Sequence, residues 1–126
     1  MDKTKLIEVV EDEKPMSDAL REILEKEGFG VIVASDGITG YDVAVDKKPD
    51  LILLDIVLPK VNGLAMLEKL RKNDWGKTVP VIALTNYSEK EMIAEAMRLG
   101  ISEYFVKIDW NLEDVVKQIK RRLEIK

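Results

Sequence analysis

The chain has neither histidine nor cysteine, and that double absence narrows its chemistry sharply. Without them there is no zinc site built on imidazole or thiolate, no Ser-His or Cys-His nucleophile pair, no disulfide, and no phosphohistidine on this chain. The missing thiols suit a reducing compartment. No apolar run approaches the length of a membrane span, and the opening Met-Asp-Lys-Thr-Lys leads into a strand pattern without a signal-peptide core. The reading is therefore a cytoplasmic chain with no membrane insertion. An excess of basic residues is also missing, since the net charge is −4, which argues against a body that binds nucleic acid. Carboxylates, hydroxyls and lysines remain. The 126 residues fit one domain, 1–126, large enough to bury a core without disulfides or metals.

What is present centres on Leu51 to Pro59, Leu-Ile-Leu-Leu-Asp-Ile-Val-Leu-Pro, where Asp55 alone breaks an apolar run. Such a run reads as a strand covered on both faces of a parallel sheet. An ionised carboxylate inside it costs several kcal/mol unless it is partnered, so either the strand ends at Asp55 or other groups meet it there. Pro59 favours the first option. In open α/β sheets ligands bind beyond the carboxyl ends of the strands, which makes Asp55 a candidate for chemistry. The competing reading is a loop aspartate that caps the next helix.

The rest of the chain repeats the alternation. An apolar strand from Lys5 to Glu11 runs into the acidic cluster Glu11-Asp12-Glu13, and Pro15 opens a helix that Gly28 stops. Strands are expected at Phe29 to Ala34, Leu51 to Asp55, Val79 to Thr85 and Glu103 to Val106. Helices are expected from Ile38 to Asp46, after Asn62-Gly63, after a Ser88/Glu91 capping box, and after the cap Asn111. Five strands alternating with five helices predict an α/β fold: a single doubly wound, five-stranded parallel sheet with helices on both faces. The basic residues Lys117, Lys120, Arg121, Arg122 and Lys126 are those a helix C-terminus favours. Trp75 and Trp110 read as half-buried loop residues.

The carboxyl ends of the strands carry Glu11 and Asp12, then Asp55, Thr85 and Lys107. In the flavodoxin-like order 2-1-3-4-5 the first and third strands are neighbours, so the three acids converge. Three carboxylates repel, and an oxygen-only site that relieves this by binding a hard cation suits Mg²⁺. A carboxylate can also act as a nucleophile toward phosphorus, with the metal, an ammonium and a hydroxyl meeting the new phosphoryl oxygens. Taken singly, Glu11 to Glu13 also reads as a solvated acidic turn, Thr85 as a helix-cap hydroxyl and Lys107 as a surface lysine.

Together these residues resemble the receiver domain of response regulators in two-component signalling, over essentially the whole chain. Glu11-Asp12, Asp55 through Pro59 to Asn62-Gly63, Leu84-Thr85, Tyr104 and Lys107 match that family's motifs in order. The resemblance implies that Asp55 accepts phosphate from a histidine kinase or histidine phosphotransfer protein. It implies Mg²⁺ held by Asp12, Asp55 and the Val57 carbonyl, with Glu11 in the outer shell. Thr85 and Tyr104 form the switch, and a downstream partner docks on the fourth helix, fifth strand and fifth helix. Such a chain is a signalling phosphoacceptor rather than an enzyme, catalysing at most its own phosphotransfer and dephosphorylation. Two positions depart from the pattern: Ile108 stands where proline usually follows the lysine, and Asn86 where a small residue usually follows the threonine. Val57 has no polar atom and the ring of Tyr87 shields the acceptor rather than delivering water, with Asn86 adding bulk on the same side, which predicts a long-lived phosphoryl group. The alternatives are a receiver-like interaction module without phosphorylation, and a phosphohydrolase with an aspartate nucleophile.

Overall fold

A computed structural model describes residues 4–58, 60–86 and 89–123. The strands are β1 (Leu6–Val10), β2 (Gly30–Ala34), β3 (Leu51–Leu54), β4 (Val81–Thr85) and β5 (Glu103–Val106). They alternate with α1 (Lys14–Lys26), α2 (Gly37–Lys47), α3 (Gly63–Arg71), α4 (Lys90–Arg98) and α5 (Leu112–Arg122). Every strand pair is parallel and the order is β2-β1-β3-β4-β5, the flavodoxin-like sheet that the alternation predicts. Two single 3₁₀ turns, Trp75–Lys77 and Lys107–Asp109, were not anticipated; the second converts the end of β5 at once into a tight turn.

Strand periodicity divides the core into two layers. Ile7, Val9, Leu53 and Leu84 face Leu20 and Leu24 of α1 and Val115 and Ile119 of α5. Val10, Ile52, Leu54 and Ala83 face Ala44 of α2, Met66, Leu67 and Leu70 of α3, and Ala96 of α4. Burying one such aliphatic side chain stabilises the fold by about 1.5–3 kcal/mol, so both helical layers are fixed to the sheet that carries the strand ends.

Helix starts follow local chemistry. The side chains of Asp36, Asn62 and Asn111 accept hydrogen bonds from the amides of Thr39, Ala65 and Asp114 at 2.8–2.9 Å, satisfying otherwise orphaned N–H groups of α2, α3 and α5. Helices α1 and α4 differ: their capping residues, Glu13 and Glu89, make no side-chain cap bond, and the expected Ser88 lies outside the described residues. β4 begins two residues later than expected, because Pro80 has no amide to give and contributes only its carbonyl, to the Ile52 N–H at 3.0 Å. All described peptide bonds are trans, including those around Ile108.

Two further departures matter. β1 is not the purely apolar strand expected, since Glu8 sits within it, fully buried, with neither carboxyl oxygen hydrogen-bonded. In register it lies between Ile32 and Ile52, on the face that Val10 shares. At the opposite end of the sheet from the acids, Arg71 donates to the carbonyls of Gly76, Val79, Leu99 and Gly100 at 2.8–3.1 Å, tying the end of α3 to the segments before β4 and β5.

Candidate functional site

Each site residue stands where a strand stops. The Glu11 amide still bonds the Ala34 carbonyl at 2.9 Å, and the Asp55 amide bonds the Val10 carbonyl at 2.9 Å, so the ends of β1, β2 and β3 are level. Asp55 follows the last residue of β3, so the strand stops there as expected, yet the side chain is still buried and other groups meet it as well. Thr85 closes β4 and is completely buried, while Lys107 follows β5 directly. The loop after β3 is held by close packing on two glycines. A β-carbon at Gly63 would lie 2.5 Å from the Asp55 carbonyl oxygen, and one at Gly37 would lie 1.8 Å from the Val61 carbonyl oxygen. Any larger residue at either position would displace the backbone that presents Asp55.

Lys107 is the electrostatic centre. Its ammonium lies 2.7 Å from Glu11 Oε1, 2.8 Å from Glu13 Oε1 and 3.1 Å from Asp55 Oδ2. The second Asp55 oxygen accepts the Val57 amide at 3.0 Å. Burial favours loss of the lysine proton, but hydrogen bonds to Glu11, Glu13 and Asp55 outweigh it and hold the ammonium charged well above its ordinary range. Burial pushes the Glu11 carboxyl upward, opposed by the Lys107 hydrogen bond and the Glu13 amide and reinforced by the nearby Asp55 charge.

Glu11, Asp12 and Asp55 each offer a carboxylate oxygen, and these oxygens lie within 4.8 Å of one another. Asp12 is exposed and, among the described residues, has no hydrogen-bond or ion-pair partner. This oxygen-only donor set fits a hard divalent cation, which would relieve the repulsion that Lys107 only partly offsets. The acids open onto a cleft of about 380 Å³ lined by Asp12, Glu13, Asp55, Val57, Thr85, Asn86 and Lys107.

Of the expected groups with described positions, Glu11, Asp12, Asp55, Val57, Thr85, Asn86 and Lys107 are brought to one face, whereas Tyr104 does not line the cleft. Val57 is over half exposed on the rim, Asn86 stands at the mouth, and Tyr104 is half-buried on β5 against the α2–α4 layer. Tyr87 lies outside the described residues. Sequence reasoning left Glu13 as an undifferentiated member of an acid cluster and passed over Glu8. The signal for Glu8 was the one used for Asp55, a carboxylate inside an apolar run.

A family profile for the response regulator receiver domain matches residues 7–120. Sporulation initiation phosphotransferase F of Bacillus subtilis is 30% identical over 118 residues, covering 94% of this chain and 93% of that protein. The chain also spans about half the length of two transcriptional regulators to which it is 32% identical. Among solved structures, a CheY-like response regulator receiver domain protein of Methanospirillum hungatei superposes with a TM-score of 0.90 at 30% identity, covering 97% of this chain and 95% of that one. The receiver domain of a Pseudomonas aeruginosa sensor histidine kinase, solved with magnesium coordinated in its active-site cleft, gives a TM-score of 0.84 at 25% identity and covers 94% and 97% of the two chains.

Proposed function

Because this chain belongs to the response regulator receiver domain family of phosphorelay signalling, we propose that Asp55 is its phosphoacceptor and that residues 1–126 form one such domain. The observation that carries this is the convergence on Asp55 of two further acids and one buried ammonium, with Lys107 at 3.1 Å. The donor is a phosphohistidine of a histidine kinase or histidine phosphotransfer protein. An Asp55 oxygen forms the new O–P bond as the P–N bond of the donor breaks, and the electron pair of that bond leaves with the imidazole. Lys107 is placed to neutralise one charge of the arriving phosphoryl group, and the Thr85 hydroxyl to donate to a second oxygen.

Asp12, Asp55 and the Val57 carbonyl would hold Mg²⁺, with Glu11 behind them through its bond to Lys107. The bound cation supplies charge stabilisation to the phosphoryl oxygens in transfer. The product is a signal, so the chain acts as a phosphoacceptor that at most catalyses its own loading and hydrolysis. Thr85 and Tyr104 couple the new charge to the face formed by α4, β5 and α5, where a downstream protein docks. Among the described residues no helix is long and apolar enough to cross a membrane; the proposed setting is the cytoplasm.

Acetyl phosphate with Mg²⁺ should add one phosphate by intact mass. Asp55→Asn should take none, and Asp12→Ala should lose the Mg²⁺ requirement together with most of the rate. Equal labelling of Asp55→Asn and wild type would refute the assignment.

A further inference from the structure

An ammonium has three N–H bonds, and those of Lys107 are all committed, one each to Glu11, Glu13 and Asp55. The lysine side chain is only 6% exposed, so water has little room to take a share. A phosphoryl group arriving on Asp55 needs one of these donors, and one carboxylate must give it up. Glu11 is poorly suited to leave: it is buried, and its second oxygen already accepts the Glu13 amide at 3.1 Å. Asp55 is itself the reacting group. Glu13 is different, because 60% of its side chain faces solvent and its carboxylate can be rehydrated at little cost.

The position of Glu13 in the fold reinforces this. It is the capping residue of α1, yet its side chain makes no cap hydrogen bond and reaches across to Lys107 instead. The short polar residues favoured at this place turn their side chains back to the first-turn amides, and this longer glutamate does not. Here the helix start is tied to the lysine after β5, a separation of 94 residues.

We propose that Glu13 is a positioning residue that competes with the incoming phosphoryl group for Lys107, and that its displacement is part of loading. The inference rests on Asp55 being the acceptor. With acetyl phosphate as donor, an Asp55 oxygen forms a bond to phosphorus, the donor P–O bond breaks and acetate leaves with its electron pair. In the same event the Lys107 N–H that faced Glu13 turns to a phosphoryl oxygen, and Glu13 moves into solvent. No proton changes hands in that exchange.

The test compares loading by acetyl phosphate at saturating Mg²⁺ in wild type, Glu13→Gln and Glu13→Asp. A pair whose acid is solvated in this way corresponds to roughly a three- to fivefold effect, and Glu13→Gln should load faster by about that factor. Glu13→Asp keeps the charge but is one methylene short of the lysine, and it should load as fast as Glu13→Gln. A rapid Gln variant beside an Asp variant as slow as wild type would overturn the proposal, because general repulsion of the anionic donor would then explain the rate. A Gln variant no faster than wild type would overturn it too, while leaving Asp55 as acceptor. Absence of label on wild-type Asp55 would instead remove the acceptor reading, and this inference with it. A purely structural role for Glu13 makes no demand on the bound state. Competition requires that, with beryllofluoride, the Glu13 side-chain carboxyl ¹³C signal move to the value of a solvated glutamate while that of Glu11 keeps a lysine-bonded shift. A Glu13 signal that stays in place would count against displacement.

Discussion

Replacing Glu8 by leucine should stabilise this protein, and by an amount that depends on pH in a way the structure specifies. Burial pushes the Glu8 carboxyl from its ordinary value of 4.5 up to about 8, and both its oxygens lack partners. Below pH 4.5 the group is protonated in the folded and unfolded chain alike, so no charge is buried. Above that point the unfolded chain releases the proton while the folded chain retains it, and each pH unit removes about 1.4 kcal/mol of stability. The loss continues until the folded value near 8 is passed, reaching about 3 kcal/mol by pH 7 and about 5 kcal/mol in all. Glu8→Gln should abolish this slope. Glu8→Leu should abolish it and also recover the cost of an unpaired buried polar group, about 1–3 kcal/mol at every pH. Urea unfolding followed by the fluorescence of Trp75 and Trp110, at steps from pH 5 to pH 9, gives the comparison. The chain is well suited to it, because it has no histidine or cysteine to titrate in that window. Glu11 is also raised and contributes to the wild-type curve, so the quantity to read is the difference between wild type and variant. A difference that stays constant from pH 5 to pH 9 would show that Glu8 is not held protonated, and the argument would fail.

Three other outcomes are expected. Val57→Asn should hasten loss of phosphate from isolated phosphoprotein in Mg²⁺ by about tenfold, by placing a water-holding amide on the rim of the cleft; wild-type decay within seconds would contradict the proposed long lifetime. Beryllofluoride with Mg²⁺ should shift amide signals in α4, β5 and α5, the side on which Thr85 and Tyr104 lie, and shifts confined to α1 and α2 would refute the proposed coupling. Arg71→Leu should cost about 2–4 kcal/mol in the same urea assay, since four carbonyls lose a shared charged donor; a change below about 1 kcal/mol would show that water replaces it readily.

Much of this architecture was legible because its signals are local and strong. Leu51 to Leu54 is continuous apolar sequence, Asn62 and Asn111 are efficient caps, and the helical stripes of α1 and α5 are clean, so element order and topology followed. The acids, Thr85 and Lys107 were legible because each ends a strand, and topology alone brings strand ends together. What escaped depends on distance in sequence. Nothing in the residues near Arg71 indicates that carbonyls 28 and 29 residues away will surround it. Nothing near Glu13 shows that its partner is Lys107 rather than its own helix. Glu8 escaped for a different reason: alternation places a residue on a face but does not say whether that face will hydrate it. The start of α4 was misjudged because a Ser-x-x-Glu pattern is common, and the helix begins beyond Glu89 without a side-chain cap.

The sheet that separates Leu24 and Ile119 from Leu67 and Leu70 is one backbone thick, and this makes the molecule modular in its tolerance of change. Volume lost beneath α1 cannot be refilled by side chains beneath α3, because no side chain reaches through a hydrogen-bonded ladder. Substitutions in the two layers should accordingly combine additively, whereas pairs such as Leu24 and Ile119, within one layer, should couple. A lineage can then exchange the packing beneath α1 and α5 while the opposite layer keeps its fit.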